Sequence, residues 1–223
     1  MVKNAAMPQA LDLSTWPRRS AYALFRHFDK PWFSVCVRVD VTALRPALQQ
    51  LGGGRFALAC HHAALRESHR VQGFRLRFQG EGVQVLDTVR GSTTVARPDG
   101  SFGFATLPYI ASFSRFAATG AAAMQAARDG GAPLEVEAEE HTFIHFTTLP
   151  WLHFTSFTHA REKAHADIPK IAFGRVKEEG GRQWMPLALE VHHALMDGAD
   201  VGDFVQGYEA AMNDPLPWLT GGA

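Results

Sequence analysis

Leu187-Ala-Leu-Glu-Val-His-His-Ala-Leu-Met-Asp-Gly-Ala-Asp-Val-Gly202 places a strand, a turn and the start of a helix in immediate succession. Met185, Leu187, Leu189 and Val191 alternate with Ala188, Glu190 and His192, the period-two pattern of a strand with one apolar face. His193 then falls at the strand end with the apolar side, where an imidazole is partly desolvated and held near neutral. Beyond Asp197-Gly198, the positions Val201, Phe204, Val205, Tyr208 and Met212 recur at helical spacing, so the Asp-Gly marks a turn into an amphipathic helix. An imidazole at a strand end, four residues before a helix start, is a placement suited to chemistry.

Working outward, strand patterns are predicted at Ser34–Val41, Phe74–Phe78, Val83–Val89, Thr93–Ala96, Thr142–Thr148, Leu152–Thr158, Lys170–Lys177 and Trp184–His192. Helices are predicted at Phe56–Ser68, after Gly52-Gly-Gly, at the Ala-rich Ala111–Arg128, and at Val201–Met212. Glu178-Glu-Gly-Gly reads as a hairpin turn with glycine supplying positive φ. Together they give an α/β (α+β) layered domain, a sheet covered by helices. With 223 residues, 46% of them hydrophobic, the chain can bury a sizeable core and is read as one domain over 1–223, its termini loose.

Lys+Arg and Asp+Glu balance at 22 each and no basic run interleaves with aromatics, which argues against a nucleic-acid partner. The N-terminal residues lack an apolar core of signal-peptide length, and no stretch approaches the length of a membrane span, so the expectation is a soluble cytoplasmic protein. Cys36 and Cys60 have neither metal-ligand spacing nor a disulfide-rich context and are expected as buried free thiols. Cys60-His61-His62 and the set His192, His193, Asp197 raise the question of a metal. Adjacent histidines on a strand face opposite ways, and helical neighbours diverge by about 100°, so no metal site is expected.

The His193-x-x-x-Asp197-Gly198 pattern resembles the active-site motif of the trimeric chloramphenicol acetyltransferases, and the same letters occur in dihydrolipoyl acyltransferase cores. Asp12-Leu-Ser-Thr-Trp-Pro-Arg-Arg19 resembles that family's opening Trp-x-Arg, and Trp16–Thr42 lies on its pattern without a gap. Leu149-Pro-Trp-Leu-His-Phe-Thr-Ser-Phe157 resembles its Pro-Trp-x-x-Phe-Thr-Ser-Phe. Further matches are Phe102 after Asp99-Gly100-Ser101, Tyr109–Phe116, Pro169–Arg175 and Met185-Pro-Leu-Ala188, so the resemblance runs from about Leu11 to about Asn213.

The resemblance implies an acetyl-CoA-dependent O-acetyltransferase acting on chloramphenicol or a similar small alcohol, with no permanently bound cofactor and a homotrimeric assembly. It assigns His193 as general base and Ser156 as donor to the oxyanion, with direct transfer and no acyl-enzyme. Asp197 and Arg18 are implied as a structural pair supporting the base. Phe25, Asp29, Phe33, Thr94 and Phe102 are implied in the acceptor pocket, Asp29 replacing an apolar residue. Ala172 stands where a threonine helps hold an active-site water. Arg175 and Val176 fall in the coenzyme A region, Val176 replacing an aromatic near the adenine end. Read without the family, His193 is one of 11 histidines, for any of which a hydrogen-bonded core residue is the favoured reading, Ser156 is a solvent-facing strand serine, and Asp197 is a turn aspartate. Two alternatives stand beside the main reading: the same chemistry with another acyl donor or acceptor, and a non-catalytic binding or scaffold homologue.

Overall fold

The computed structural model describes residues 9–130, 139–161 and 166–221; the first eight residues and the end of the C-terminal tail, expected to be loose, lie outside them. In chain order the strands are β1 (Gln9–Ala10), β2 (Trp32–Asp40), β3 (Leu76–Gln79), β4 (Gly82–Val85), β5 (Arg90–Ala96), β6 (Phe102–Leu107), β7 (Phe143–Leu149), β8 (Lys170–Gly174), β9 (Lys177–Glu179) and β10 (Arg182–His192). The helices are α1 (Arg19–Phe25), α2 (Leu44–Gln50), α3 (Phe56–Arg70), α4 (Phe113–Asp129), α5 (Gly198–Asn213) and α6 (Leu216–Thr220).

The main sheet is mixed, in the order β2-β10-β8-β7-β5-β6, with β9 pairing the start of β10. β7 runs parallel to β5 and β8, and the other pairings are antiparallel. Residues alternate faces along each strand, so this register decides what each face carries. Leu187, Leu189 and Val191 of β10 join Val39, Ile171 and Phe173 on the apolar face, packed with Phe204 and Tyr208 of α5. α3 is buried almost all round, from Leu58 to Leu65, as expected of a helix enclosed between a sheet and other helices.

The opposite face carries polar residues in one register row: Ser34, Glu190, Lys170, His145, Ser92 and Thr106 are successive cross-strand neighbours. A small sheet, β1-β4-β3, is tied to the main one by fully buried Arg77. Its guanidinium donates to the carbonyls of Phe74, Leu76, His141 and Phe143, which satisfies a charge that would otherwise be costly to bury.

The expected layered α/β (α+β) architecture is present, a mixed sheet with helices over it. The stretch Leu152–Thr158, expected as a strand, is irregular. It crosses the polar face instead of joining the sheet, and side chains from that face take its backbone groups: Ser34 donates to the Phe157 carbonyl, Lys170 donates to that of Ala160, and Glu190 accepts from the His159 amide. Its close approach to β8 needs Gly174, where an added Cβ would lie 2.9 Å from the Leu152 carbonyl, the Phe154 ring and Pro186. Phe74 belongs to a 3-10 turn preceding β3, and the run to Lys177 breaks at Arg175-Val176 between β8 and β9. β1, β6, α1, α2 and α6 are additions to the predicted elements. Cys60 is buried as expected, whereas Cys36 on edge strand β2 is half-buried. No described helix is long and apolar enough to cross a membrane.

Candidate active site

β10 ends at His192, and the next four residues form a compact turn in which Leu195 and Met196 donate to the His192 carbonyl. The two adjacent histidines diverge. His192 is buried against the edges of Trp32 and Phe78, and burial pulls its pKa down to about 4. Its Nδ1 accepts from the Ala194 amide, so it braces the turn from beneath.

His193 stacks on Phe25 at 3.9 Å between ring centroids and leans on Phe33 at 4.9 Å. Its Nδ1 lies 3.1 Å from the Met196 carbonyl. A carbonyl only accepts, so Nδ1 carries a proton, and in the neutral imidazole the lone pair is left on Nε2. Ring orientation and tautomer are therefore both set by contacts within the chain.

The end of the turn is the start of α5. Asp197, in extended conformation, is the N-cap: its side chain accepts from the amides of Ala199 at 2.9 Å and Asp200 at 3.4 Å, while Asp200 accepts from the Asp197 amide. This reciprocal capping box is the physical content of the sequence's Asp-Gly-x-Asp. Burial raises the Asp200 carboxyl above the usual range, the bond from the Asp197 amide and Arg18 opposing the shift.

Arg18 closes the arrangement from a point 179 residues away in sequence. One nitrogen pairs with the Asp197 carboxylate, and another donates to the His193 carbonyl at 2.9 Å. One guanidinium thus grips both ends of the turn. Arg18 caps α1 and Phe25 is that helix's last residue, so α1 delivers both the clamp and the stacking ring. Tyr22 anchors α1 by donating to the Glu81 carbonyl at 2.8 Å.

The remaining predicted residues fall elsewhere. Thr94 lines a cleft of about 400 Å³ on the polar face, with aromatic walls from Phe104, Phe143 and Phe157. Ser156 is exposed on the irregular crossing segment, beside Phe157 and Thr158, which do line that cleft. Phe102 is exposed on edge strand β6, at 5.7 Å from the Phe104 ring. Asp29 is exposed in the bend between α1 and β2, and Ala172 is fully buried in β8.

Arg175 and Val176 line a second cleft of about 320 Å³ with Arg45, Phe56, His61 and Thr148. Arg45 stacks over the Phe56 ring at 4.7 Å. At its base, His61 is held neutral, burial pulling its pKa to about 3, and Nε2 shares a 3.3 Å hydrogen bond with the Thr148 hydroxyl. Cys60 beside it is pushed up to about 12 by burial, the state of an unreactive thiol. Sequence reasoning missed Arg45, Phe56 and Thr148, which share no local pattern. It also missed Glu190, whose one signal was a carboxylate in the middle of an otherwise apolar strand. Among the described residues no group of three or more His, Cys, Asp or Glu side chains is arranged to hold a metal ion.

Residues 8–209 match the family model of chloramphenicol acetyltransferase. The chain is 24% identical over 209 residues to chloramphenicol acetyltransferase 3 of Escherichia coli, covering 92% of this chain and 97% of that protein. It is 28% identical over 226 residues to the chloramphenicol acetyltransferase of Streptomyces acrimycini, covering 95% and 97%. A solved chloramphenicol acetyltransferase superposes with a TM-score of 0.84 at 27% identity, over 92% of this chain and all of that one. A dihydrolipoamide acetyltransferase of Azotobacter vinelandii shares the fold, with a TM-score of 0.66 at 17% identity over 90% of this chain and 88% of that one.

Fold and family define an acyltransferase. The chain belongs to the chloramphenicol acetyltransferase family.

Proposed function

We propose that this protein transfers the acetyl group of acetyl-CoA directly to a hydroxyl of chloramphenicol or a similar small alcohol, with His193 as the general base. The observation that carries this reading is the fixed tautomer of His193, with Nδ1–H on the Met196 carbonyl and Nε2 left to take the hydroxyl proton. As Nε2 accepts that proton, the alcohol oxygen attacks the thioester carbonyl. The coenzyme A thiolate leaves when the tetrahedral intermediate collapses, and the proton passes from the imidazolium to the thiolate. Such a base contributes roughly 10²–10⁴-fold. Ser156 supplies the hydroxyl that stabilises the oxyanion, worth about 10²–10³-fold. Arg18 and Asp197 hold the turn.

The assembly in this proposal is a cytoplasmic homotrimer of single-domain subunits, closed by cyclic symmetry. His193, with Phe25, Phe33 and Asp29, faces a neighbour's cleft lined by Thr94, with Phe102 and Ser156 at its margin. Two observations support it: Ser156 is exposed, and Leu24, Phe28, Phe102 and Phe104 are large apolar side chains between 43% and 57% exposed, more than an isolated chain carries comfortably. Acetyl-CoA takes the second cleft, where Arg45 and Arg175 offer guanidinium donors for phosphate oxygens and Phe56 a face for a purine ring, Val176 lying beside it and Ala172 within β8.

The test is thiol release from acetyl-CoA with chloramphenicol as acceptor, with light scattering on the same sample. Release that depends on chloramphenicol, from a particle of three times the chain's mass, is the expected result. Absence of release with any alcohol, or a monomer at micromolar concentration, refutes the corresponding part.

A further inference from the structure

The acceptor cleft has aromatic walls but a floor built for hydrogen bonding. The floor holds Lys170, His145 and Ser92, cross-strand neighbours on three adjacent strands, in the register row that continues to buried Glu190. Two imidazoles line the cleft. His145 Nε2 lies 3.2 Å from a Glu140 carboxylate oxygen, and both side chains are mostly buried. His159, only 9% exposed, lies with Nδ1 at 3.7 Å from Glu190, beyond hydrogen-bond distance, and neither of its ring nitrogens has a hydrogen-bond partner among the described residues.

Glu190 is already committed elsewhere, accepting from Arg161 and from the His159 amide at 3.1 Å. Among the described residues the lining carries one carboxylate, Glu140, and one ammonium, Lys170, beside groups that offer directed hydrogen bonds. Burial pushes the His159 pKa down, Glu190 opposing the shift, and the neutral imidazole has one donor and one acceptor nitrogen, the complement of a hydroxyl.

Resting on the acetyl-transfer reading above, we propose that the acceptor is a polyhydroxylated compound of the sugar or glycoside class, read by His159 and by the Glu140–His145 pair as specificity-determining residues. A diol gives and takes one hydrogen bond at each oxygen, as these side chains do, while Phe104 and Phe157 suit the C–H face of a ring. An acceptor without hydroxyls at that end leaves the His159 nitrogens buried and unpaired. Sites built to hydrogen-bond a substrate discriminate strongly against analogues lacking the partner.

The experiment compares chloramphenicol with p-nitrophenyl β-D-glucopyranoside and p-nitrophenyl β-D-xylopyranoside, which keep a nitrophenyl ring and add a sugar. Full-length protein and acetyl-CoA are used, with thiol release as readout and mass spectrometry of the product. At least one glycoside should exceed chloramphenicol in kcat/KM by about tenfold or more. His159→Leu should lower that ratio at least tenfold with the KM for acetyl-CoA unchanged, and Glu140→Gln should lower it in the same direction. Glu140→Gln carries the test if His159→Leu does not fold. Acetylation of chloramphenicol but of neither glycoside overturns the polyol proposal and leaves acetyl transfer intact. A ratio unmoved in the folded variants overturns the role of these residues. No release with any acceptor overturns both readings.

Discussion

Arg18→Leu separates what the turn at residues 193–197 does by itself from what tertiary contact does for it. Asp197 keeps its own bonds to the Ala199 and Asp200 amides, so α5 remains capped in the variant. What disappears is the donor to the His193 carbonyl and the ion pair with Asp197. A hydrogen bond from a charged donor contributes about 1.5–3 kcal/mol. Asp197 is 40% exposed, so solvent screening reduces the ion pair to about 0.5–1 kcal/mol. Leucine restores part of the buried stem, leaving a net loss of about 2 kcal/mol. In a chain of 223 residues each kcal/mol lowers Tm by about 2–4 °C, so the melt should fall by about 4–8 °C at fixed protein concentration. The larger effect belongs to kcat: a base displaced by about 1 Å costs on the order of 10²-fold. Arg18→Lys, which keeps one donor, should fall between. A variant that melts lower but keeps kcat within about threefold of the parent would falsify the clamp as a positioning device and leave it only a structural one.

His193→Ala should lower kcat by at least about 10²-fold with little change in the melt, since the ring's proposed work is proton transfer; a larger kcat loss in His192→Ala than in His193→Ala would reverse the assignment, because His192 is the buried brace. Acid should unfold the protein through its buried histidines. His192 and His62 are held near 4 and His61 near 3 by burial, so all three are neutral in both states above the ordinary imidazole value of about 6.5. As pH falls below that value the unfolded chain takes up protons that the fold excludes, and stability is lost progressively down to about 4 for His192 and His62 and about 3 for His61. Urea midpoints measured between pH 7 and pH 4 should fall, and His62→Gln should flatten the slope; parallel slopes would show that His62 protonates without penalty. Gly174→Ala should cost about 1–3 kcal/mol, because its Cβ would sit 2.9 Å from the Leu152 carbonyl and the Phe154 ring. It should also lower kcat/KM by displacing the crossing segment, and an unchanged melt would mean that segment yields freely.

Local chemistry wrote much of this protein plainly. Strand alternation over Met185–Val191, the Asp-Gly start of α5 and its apolar spacing are short-range signals, and the structure places strand, turn and helix there in that order. The divergence of His192 from His193 followed from the same alternation. Leu152–Thr158 shows where such signals fail: its residues suit a strand, but the segment crosses the polar face, where Ser34 takes the Phe157 carbonyl and Glu190 and Lys170 take the His159 amide and the Ala160 carbonyl just beyond it. Nothing local pairs Arg18 with Asp197; the pairing was legible only as a motif resemblance, and α1 packing on the small sheet is what delivers the guanidinium. The clefts were illegible for the same reason. Their floors are register rows across strands distant in sequence, and register is decided by which faces the helices bury, a property of the assembled sheet rather than of any stretch of chain.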